Sequence, residues 1–428
     1  MNHSLDRTIA PESFQLVDFS LQKPEQYQLP NSCKVFAIKN NAQPILHFSI
    51  VIKGGKLVED VKGTAFLTSK MIGEGVKGMN SAQIHEYLDS YGAIINVSND
   101  LDSFTLTGHC LKRYFGEVIS MVNKYLKESE FSEEEFRHIV QVVVQQKKLA
   151  EEKTSYLSTK KFRESFYGED HPFGSTLSAE QILQFSIDDV QKYYNDQIIG
   201  APFEIFISGD FDDSCLKILS DQLGKIEIKK GSAILKYPKF VDKINSNELK
   251  IYDAKDGSVQ SSIRIGCPTF TLPHNDLEAF SVMNEMLGGY FGSRLMKNIR
   301  EEKGLTYGIH SSFRNEQNQG YFLIATDVKK ELRDVATTEI YKEIEKLGKE
   351  PISQEELITV QNYMSGNFIM SINSNISLLE VTKGLYKKGL NFDYYDTYVS
   401  RIQSVTTQQV QDMVKKYLLG DMLEVVVG

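Results

Sequence analysis

Two kinds of apolar pattern alternate along this chain. Residues 44–52 form an apolar run of strand length, and residues 94–107 alternate apolar with polar side chains, which is typical of a half-buried strand. Further on, Ser132 lies three residues before Glu135, a spacing that predicts a capping box at the start of a helix. Strands follow one another like hairpins and do not alternate strictly with helices. The pattern therefore favours an α+β fold, built on an antiparallel sheet layered with helices.

The same order of elements returns in the second half of the chain. Residues 260–265 and 309–326 are strand-like, and Ser353 with Glu356 repeats the capping-box spacing. In both halves an early helix ends at glycines, which commonly terminate helices. Agreement in order and spacing at several landmarks predicts an internal repeat, and hence two homologous domains.

The least patterned stretch of the chain is the predicted boundary between these domains. Residues 229–247 are rich in Lys, Ser and Asn and contain Pro238, which is typical of a linker. The predicted first domain therefore spans residues 1–228, and the predicted second domain spans residues 248–428.

Composition excludes several classes of function. The 428 residues are 41% hydrophobic and 25% charged, and 48 Lys and Arg against 57 Asp and Glu give a formal net charge of -9. Because no long basic tract interrupts this balance, we expect no nucleic acid and no membrane as a partner. We find no apolar run of membrane-spanning length and no secretory signal, and therefore expect a cytoplasmic protein. The four cysteines lie far apart without a C-x-x-C pair, which predicts reduced core thiols.

One stretch of the second half carries a recognisable motif. Residues 287–295 read L-G-G-Y-F-G-S-R-L, and residues 299–307 read I-R-E-E-K-G-L-T-Y, so that an arginine lies seven residues before a tyrosine. This stretch resembles the second-domain signature of the insulinase/pitrilysin family of zinc peptidases, including its branch similar to mitochondrial processing peptidase. Residues 167–174 and 91–96 resemble first-domain landmarks of that family, and the resemblance spans nearly the whole chain.

The resemblance implies a fold and a mode of binding. Two homologous α+β domains of similar size, each an antiparallel sheet layered with helices, would form a clamshell around a cavity. Members of the family take an extended peptide as an added edge strand. Unpaired amides and carbonyls at a sheet edge can bind any main chain with little regard for its sequence.

The zinc motif of the family is missing from its expected place. Active members carry A-H-x-x-E-H-M on a first-domain helix, and the resemblance aligns this motif with A-F-L-T-S-K-M at residues 65–71. Phe66 and Lys70 replace the two histidine ligands, Ser69 replaces the general base, and Gln145 stands at or next to the position of the glutamate ligand. A phenyl ring has no donor atom, an ammonium repels zinc, and a serine hydroxyl cannot serve as the base at neutral pH.

The histidines elsewhere in the sequence do not have the spacing of a second metal site. No two of the eight histidines are spaced i, i+4 on a predicted helix. We therefore expect no cofactor in this chain and zinc in a partner subunit.

Arg300 and Tyr307 are the candidate functional residues that remain. Arg300 falls in the last turn of a helix that Gly304 should end, and Tyr307 opens the next strand, so both side chains could point into the cavity from one corner. The resemblance implies that the pair holds the substrate carbonyl and donates to the developing oxyanion. Without the resemblance, the favoured interpretation is that Arg300 interacts with the helix C-terminus and Tyr307 packs in the core.

The sequence thus predicts a non-catalytic subunit of a heterodimeric zinc peptidase, inactive alone. A homologous H-x-x-E-H subunit would supply metal and base, while this chain would bind extended peptide substrates and supply Arg300 and Tyr307. Two alternatives stay open. One is a structural core or scaffold subunit without a proteolytic role, and the other is a peptide-binding module that holds unfolded chains without cutting them.

Overall fold

Strands and helices of two α+β domains make up the structure, a computed structural model that describes residues 8, 16–229, 235, 237–316 and 319–428. The strands are β1 (Glu25–Gln28), β2 (Lys34–Lys39), β3 (Ile45–Lys53), β4 (Gly75–Val76), β5 (Met79–Asn80), β6 (Ile94–Asn99), β7 (Ser103–Leu111), β8 (Phe203–Gly209), β9 (Lys250–Asp253), β10 (Gln260–Pro268), β11 (Thr306–Glu316), β12 (Gln319–Lys329) and β13 (Leu423–Val427).

Most helices are α-helical, and several short segments have other helical geometry. The α-helices are α1 (Thr64–Met71), α2 (Ser81–Ser90), α3 (Phe115–Lys127), α4 (Glu133–Glu151), α5 (Thr154–Tyr167), α6 (Ala179–Ile182), α7 (Ile187–Tyr193), α8 (Asp213–Gln222), α9 (Leu277–Asn284), α10 (Arg333–Lys349), α11 (Gln354–Ser371), α12 (Asn375–Lys387), α13 (Tyr398–Gln403) and α14 (Thr407–Met413). The π-helical segments are Tyr194–Ile198, Glu285–Gly289, Met296–Glu302 and Val414–Leu418. Short 3₁₀ segments are Gly55–Val58, Lys112–Tyr114 and Lys330–Leu332.

Each domain is built on one large sheet. The first sheet has the order β1-β2-β8-β3-β7-β6, and the second has the order β11-β12-β10-β13-β9. Read from β6, the first five strands of the first sheet have the same succession of directions as the five strands of the second sheet read from β11, and β1 is an additional strand. The predicted two-domain α+β fold is confirmed. Both sheets are mixed and not wholly antiparallel, because β2 runs parallel to β8 and β9 runs parallel to β13.

Each sheet buries one face under helices of its own domain. In the first domain, Phe48 and Ile50 of β3 lie in one buried cluster with Val118 of α3. In the second domain, Ile265 of β10 lies in the corresponding cluster with Phe280 of α9. Alternate side chains of a strand point to opposite faces, so the remaining residues of β3 and β10 need a separate cover.

That second cover comes from the other domain in both cases. Leu379 of α12 packs on Phe36 and Phe206 of the first sheet, whose rings stack at a centroid distance of 4.9 Å. Phe162 of α5 packs against Val425 of the second sheet. Each domain therefore completes the core of the other.

The predicted linker lies partly outside the described residues, namely at 230–234 and 236. Its described part is attached to both domains. The Tyr237 hydroxyl donates to Asp102 Oδ2 at 3.0 Å, and Val241 packs in the cluster around α5. The exact boundaries of the two domains stay a prediction.

The described residues also bear on the cysteines and on membrane spans. All four cysteines are buried free thiols. Within the described ranges, no helix has both the length and the apolar content that crossing a bilayer requires.

Candidate functional site

Helix α1 carries the positions where the family motif would hold zinc, and its start is fixed by a carboxylate. Glu59 accepts the backbone N–H of Gly63 at 2.9 Å and that of Ala65 at 2.8 Å. The carboxylate thereby satisfies two amides at the helix start, where backbone N–H groups have no acceptor within the helix. Burial raises the pKa of the Glu59 carboxyl, and the two backbone hydrogen bonds oppose this rise.

None of the motif side chains on α1 forms a zinc site. Phe66 packs against the buried cluster between α1 and α4, and the Lys70 ammonium lies 5.6 Å from the centroid of its ring. Ser69 is buried, and its hydroxyl donates to the Phe66 carbonyl at 2.7 Å. A cation over an aromatic ring thus occupies the face where two imidazoles would be needed.

A cavity of 1120 Å³ adjoins this face of α1. Phe66 of α1 and Gln146 of α4 both line it. Gln145 is exposed on α4 and is not part of the lining. Gln146 therefore lines the same cavity as Phe66, and the assignment of Gln145 to the ligand position stays a prediction. In the part of the chain that the structure describes, no group of three or more His, Cys, Asp or Glu side chains could hold a metal ion.

A narrower groove runs along the edge of the first sheet. It has a volume of 310 Å³ and is lined by Ser69 and Lys70 on one side and by Ile95 and Val97 of β6 on the other. Strand β6 is the last strand of its sheet, so one of its edges has no neighbouring strand among the described residues. An extended peptide could pair with this edge directly beside α1.

Arg300 and Tyr307 lie together on the second domain. Arg300 belongs to the π-helical segment Met296–Glu302, and its guanidinium carbon lies 4.6 Å from the centroid of the Phe291 ring and 5.7 Å from that of the Tyr307 ring. Tyr307 is 94% exposed, and Phe291 is 63% exposed. A guanidinium held against two solvent-facing rings therefore forms an exposed cluster, which we call the aromatic–arginine cluster.

Backbone geometry explains the exposure of Tyr307. Gly304 has a φ of 62° and ends the preceding helix in the left-handed conformation that glycine favours. The pairing of β11 with β12 is then irregular between Thr306 and Ile309, and such an irregularity re-aims the side chains within it. The interpretation that Tyr307 packs in the core is wrong. Arg300 makes no hydrogen bond or ion pair with any residue that the structure describes.

Two family models match this chain. Residues 34–179 match the model "Insulinase (Peptidase family M16)", and residues 184–364 match "Peptidase M16 inactive domain". This chain belongs to the insulinase family, peptidase family M16. Together the matched regions cover more than half of the sequence.

Relatives in the insulinase family match over nearly their full length. The chain is 24% identical over 402 residues to the "non-peptidase homolog YmxG" of Helicobacter pylori, covering 91% of each protein. It is 20% identical over 409 residues to the "uncharacterized zinc protease YmxG" of Bacillus subtilis, covering 93% of this chain and 96% of the relative.

Solved structures from two bacteria share this fold. A structure described as the peptidase M16 inactive domain from Pseudomonas fluorescens superposes with a TM-score of 0.84 at 20% identity, covering 95% of this chain and 98% of the other. A protease from Helicobacter pylori superposes with a TM-score of 0.83 at 17% identity, covering 95% and 100%.

The sequence patterns did not single out two residues that the structure places at the candidate site. Phe291, which contacts Arg300, lies inside the glycine-rich motif but follows a helix stop, where an aromatic residue carries no pattern of its own. Gln146, which lines the same cavity as Phe66, is of the same residue type as its neighbour Gln145, so the sequence pattern alone does not single it out. In the cavities around α1, neither Arg300 nor Tyr307 contributes to the lining.

Proposed function

We propose that this chain is the non-catalytic subunit of a paired zinc peptidase. It binds an extended peptide and presents Arg300 and Tyr307 to the zinc site of a homologous H-x-x-E-H subunit. One observation carries the proposal: the Arg300 guanidinium lies against two exposed rings without a carboxylate partner among the described residues. Its five N–H donors are thereby available to a ligand.

The chemistry of the aromatic–arginine cluster fits a role at another subunit's site. A guanidinium and a phenol both donate hydrogen bonds, and donors aimed at a developing oxyanion lower the barrier to peptide hydrolysis. The two rings also leave apolar surface exposed at Phe291 and Tyr307, which a partner would cover on assembly. The missing ligands at Phe66 and Lys70 make such a partner necessary for zinc chemistry.

Peptide binding is supported by the free edge of β6. The groove there combines main-chain groups that no described strand pairs with the apolar side chains Ile95 and Val97. Main-chain pairing supplies affinity for many sequences, whereas the groove walls supply the contacts to alternate side chains.

The isolated chain should bind no stoichiometric zinc. A phenyl ring at Phe66 and an ammonium at Lys70 remove the two imidazole ligands, and a glutamine at 145 or 146 offers only a neutral amide. Elemental analysis after dialysis against zinc and then against buffer measures this, with an H-x-x-E-H family member as the positive control. About one retained zinc per chain would contradict the loss of the site.

The isolated chain should bind unstructured peptides weakly and leave them intact, because binding needs the β6 edge and cleavage needs a zinc site. Fluorescence anisotropy with a labelled peptide measures binding, and mass spectrometry of the same samples measures cleavage. A peptide of identical sequence, N-methylated at alternate residues, is the matched control and should lose affinity because it lacks main-chain donors. Chelator-sensitive cleavage by the pure chain would refute the non-catalytic assignment.

Co-purification separates this proposal from its alternatives. A partner of similar size that carries zinc supports the paired peptidase. Recovery in a large membrane complex favours the structural core subunit, and peptide binding without any stable partner favours the peptide-binding module.

A further inference from the structure

A cavity between the two domains begins where β6 ends. It has a volume of 350 Å³, and its walls come from the connection of β6 to β7, from α5 and from β11 and β12. Asn99, the last residue of β6, lines this cavity, and the Ser69 hydroxyl on α1 lies 3.2 Å from Asn99 Oδ1. Because Ser69 also lines the groove beside β6, the groove and the cavity adjoin at this point.

The lining of this cavity carries more positive than negative charge. Its cations are Lys56, Arg163 and Arg314, and its one carboxylate among the described residues is Asp100. That carboxylate already accepts a backbone N–H at 2.9 Å and lies 3.9 Å from the Lys387 ammonium, which is outside the lining. An anionic ligand would therefore balance the charge of the cavity.

Lys56 is held at the end of β6 by its backbone. Its N–H donates to the carbonyl of Asp100, which directly follows β6, at 3.1 Å. The Lys56 side chain is exposed and makes no ion pair or hydrogen bond with a described residue. The surrounding walls displace part of its water and lower the pKa of the ammonium, and the positive charge of Arg163 lowers it further. Glu59 and Asp100 act in the opposite direction without restoring the usual value, so the cation lacks a matching counter-charge.

Arg163 is the second cation, and one hydrogen bond fixes its direction. Its Nε donates to the Phe173 carbonyl at 2.7 Å, and no described residue accepts from its two terminal nitrogens. These nitrogens keep accessible surface, because they are absent from the enclosed unpartnered groups of the described chain. Lys56 and Arg163 both line this cavity and also the 1120 Å³ cavity beside α1. Two cations that repel each other beside open space are stabilised when an anion binds there.

A carboxylate of a peptide is the anion that this location favours. A strand rises about 3.3 Å per residue, so a chain that pairs with Val97 of β6 reaches Asn99 within two residues. The volume of 350 Å³ lies within the range of about 300–1,000 Å³ that is typical of ligand pockets. Lysine and arginine both form charge-assisted hydrogen bonds with carboxylates.

We propose that Lys56 and Arg163 recognise a carboxylate on a peptide bound at the β6 edge. The inference rests on the proposed peptide binding and names its substrate class, namely extended peptides with an acidic group at the end that lies beside Asn99. The direction of pairing decides the source of the carboxylate. A peptide antiparallel to β6 places its N-terminal end there and offers an acidic side chain, whereas a parallel peptide can also offer its C-terminal carboxylate.

Fluorescence anisotropy of the full chain with matched peptides tests the proposal. Peptides blocked at both ends carry glutamate near the N-terminus or near the C-terminus, and their twins carry glutamine at the same position. One glutamate peptide should bind about 10-fold more tightly than its twin, and added salt should reduce this preference. Preference at the N-terminal end assigns antiparallel pairing, and preference at the C-terminal end assigns parallel pairing. A neutral peptide with a free C-terminal carboxylate, compared with its amide, then shows whether the terminal carboxylate is also bound.

The outcomes separate this inference from the proposed function. Equal affinity of both glutamate peptides and their twins, and of the free acid and its amide, would overturn the carboxylate site and leave peptide binding at β6 intact. Absence of binding by every peptide would overturn the proposed peptide binding together with the inference.

Substitutions of the two cations test the residues themselves. Lys56→Met should lower the affinity for the preferred glutamate peptide about 10-fold, to that of its glutamine twin, and Arg163→Gln, which keeps a donor for the Phe173 carbonyl, should do the same. Lys56→Glu should reverse the preference, so that a peptide with lysine at that position binds more tightly than the glutamate peptide. Lys53→Met removes an equal charge from an exposed side chain outside the cavity and is the matched control. Melting curves check folding, and a glutamate preference that survives in folded Lys56→Met would refute the assignment.

Discussion

Arg300→Ala should lower the turnover of the assembled peptidase about 100-fold, and Tyr307→Phe should have an effect of the same order. Each change removes one hydrogen-bond donor from the developing oxyanion, and loss of such a donor costs about 3 kcal/mol in other enzymes. The effect should fall on kcat and much less on KM, because a donor matched to the transition state contributes little to substrate binding. Steady-state kinetics with the partner subunit in excess measure both constants.

Controls for these variants follow from the same contacts. Tyr307 is 94% exposed, and the recorded contacts of Arg300 among the described residues are with the two rings. The free energy of unfolding of both variants should therefore lie within about 0.5 kcal/mol of that of the parent protein. Assembly and the zinc content of the partner should not change. Lys297→Ala, on the same π-helical segment and exposed, should keep full activity. Full activity in both variants, or activity lost only in proportion to folding, would leave the chain as a scaffold.

Local sequence signals predicted elements well where neighbouring residues decide the structure. The apolar run at 44–52 corresponds to β3, and Ser132 and Ser353 are the N-caps of α4 and α11. Both capping boxes were only half right, because each serine accepts the amide three residues later but neither glutamate side chain returns to the N-cap amide. The Glu356 carboxylate is bound by Arg294 through two hydrogen bonds of 2.8 Å and does not return to the helix start. At Glu356 a charge-assisted pair with a distant arginine stands in place of the local bond.

The pairing of strands that lie far apart in the sequence could not be predicted from the hydrophobic pattern. Lys34 of β2 lies opposite Glu204 of β8, and nothing in either segment specifies a parallel neighbour so far away along the chain. The sequence also does not show that α5 and α12 each cover the sheet of the other domain. An amphipathic helix indicates that one of its faces is buried, but not which sheet buries that face.

The direction of a side chain at the candidate site changes when its position shifts by one residue along a helix or strand. Successive residues on an α-helix are rotated by about 100°, so Gln145 and Gln146 face different directions although their sequence signals are identical. Likewise, exposure of Tyr307 depends on an irregularity in the pairing of β11, which no composition rule indicates. The residue types at the site could be predicted from the resemblance, whereas their directions required the folded chain.

The second large effect is expected at Arg264, which joins the two domains. This residue of β10 is 8% exposed, and its guanidinium donates to Thr159 Oγ1 at 3.2 Å and to the Ser155 carbonyl at 3.3 Å, both on α5. It also donates to the Thr326 carbonyl at 3.3 Å and lies 3.6 Å from an Asp327 carboxylate oxygen. One buried cation therefore satisfies acceptors from both domains.

Arg264→Met should destabilise the protein by about 3 kcal/mol. Methionine retains much of the apolar stem, so the loss comes from buried carbonyls left without a donor. The Asp327 side chain is 47% exposed, and water can solvate its charge, which keeps the cost at the low end for a broken buried pair. Denaturant unfolding monitored by circular dichroism measures the change, with Arg137→Met on the exposed side of α4 as the control, expected within about 0.5 kcal/mol. If Arg264→Met were as stable as this control, α5 would be held on the second sheet by apolar packing alone.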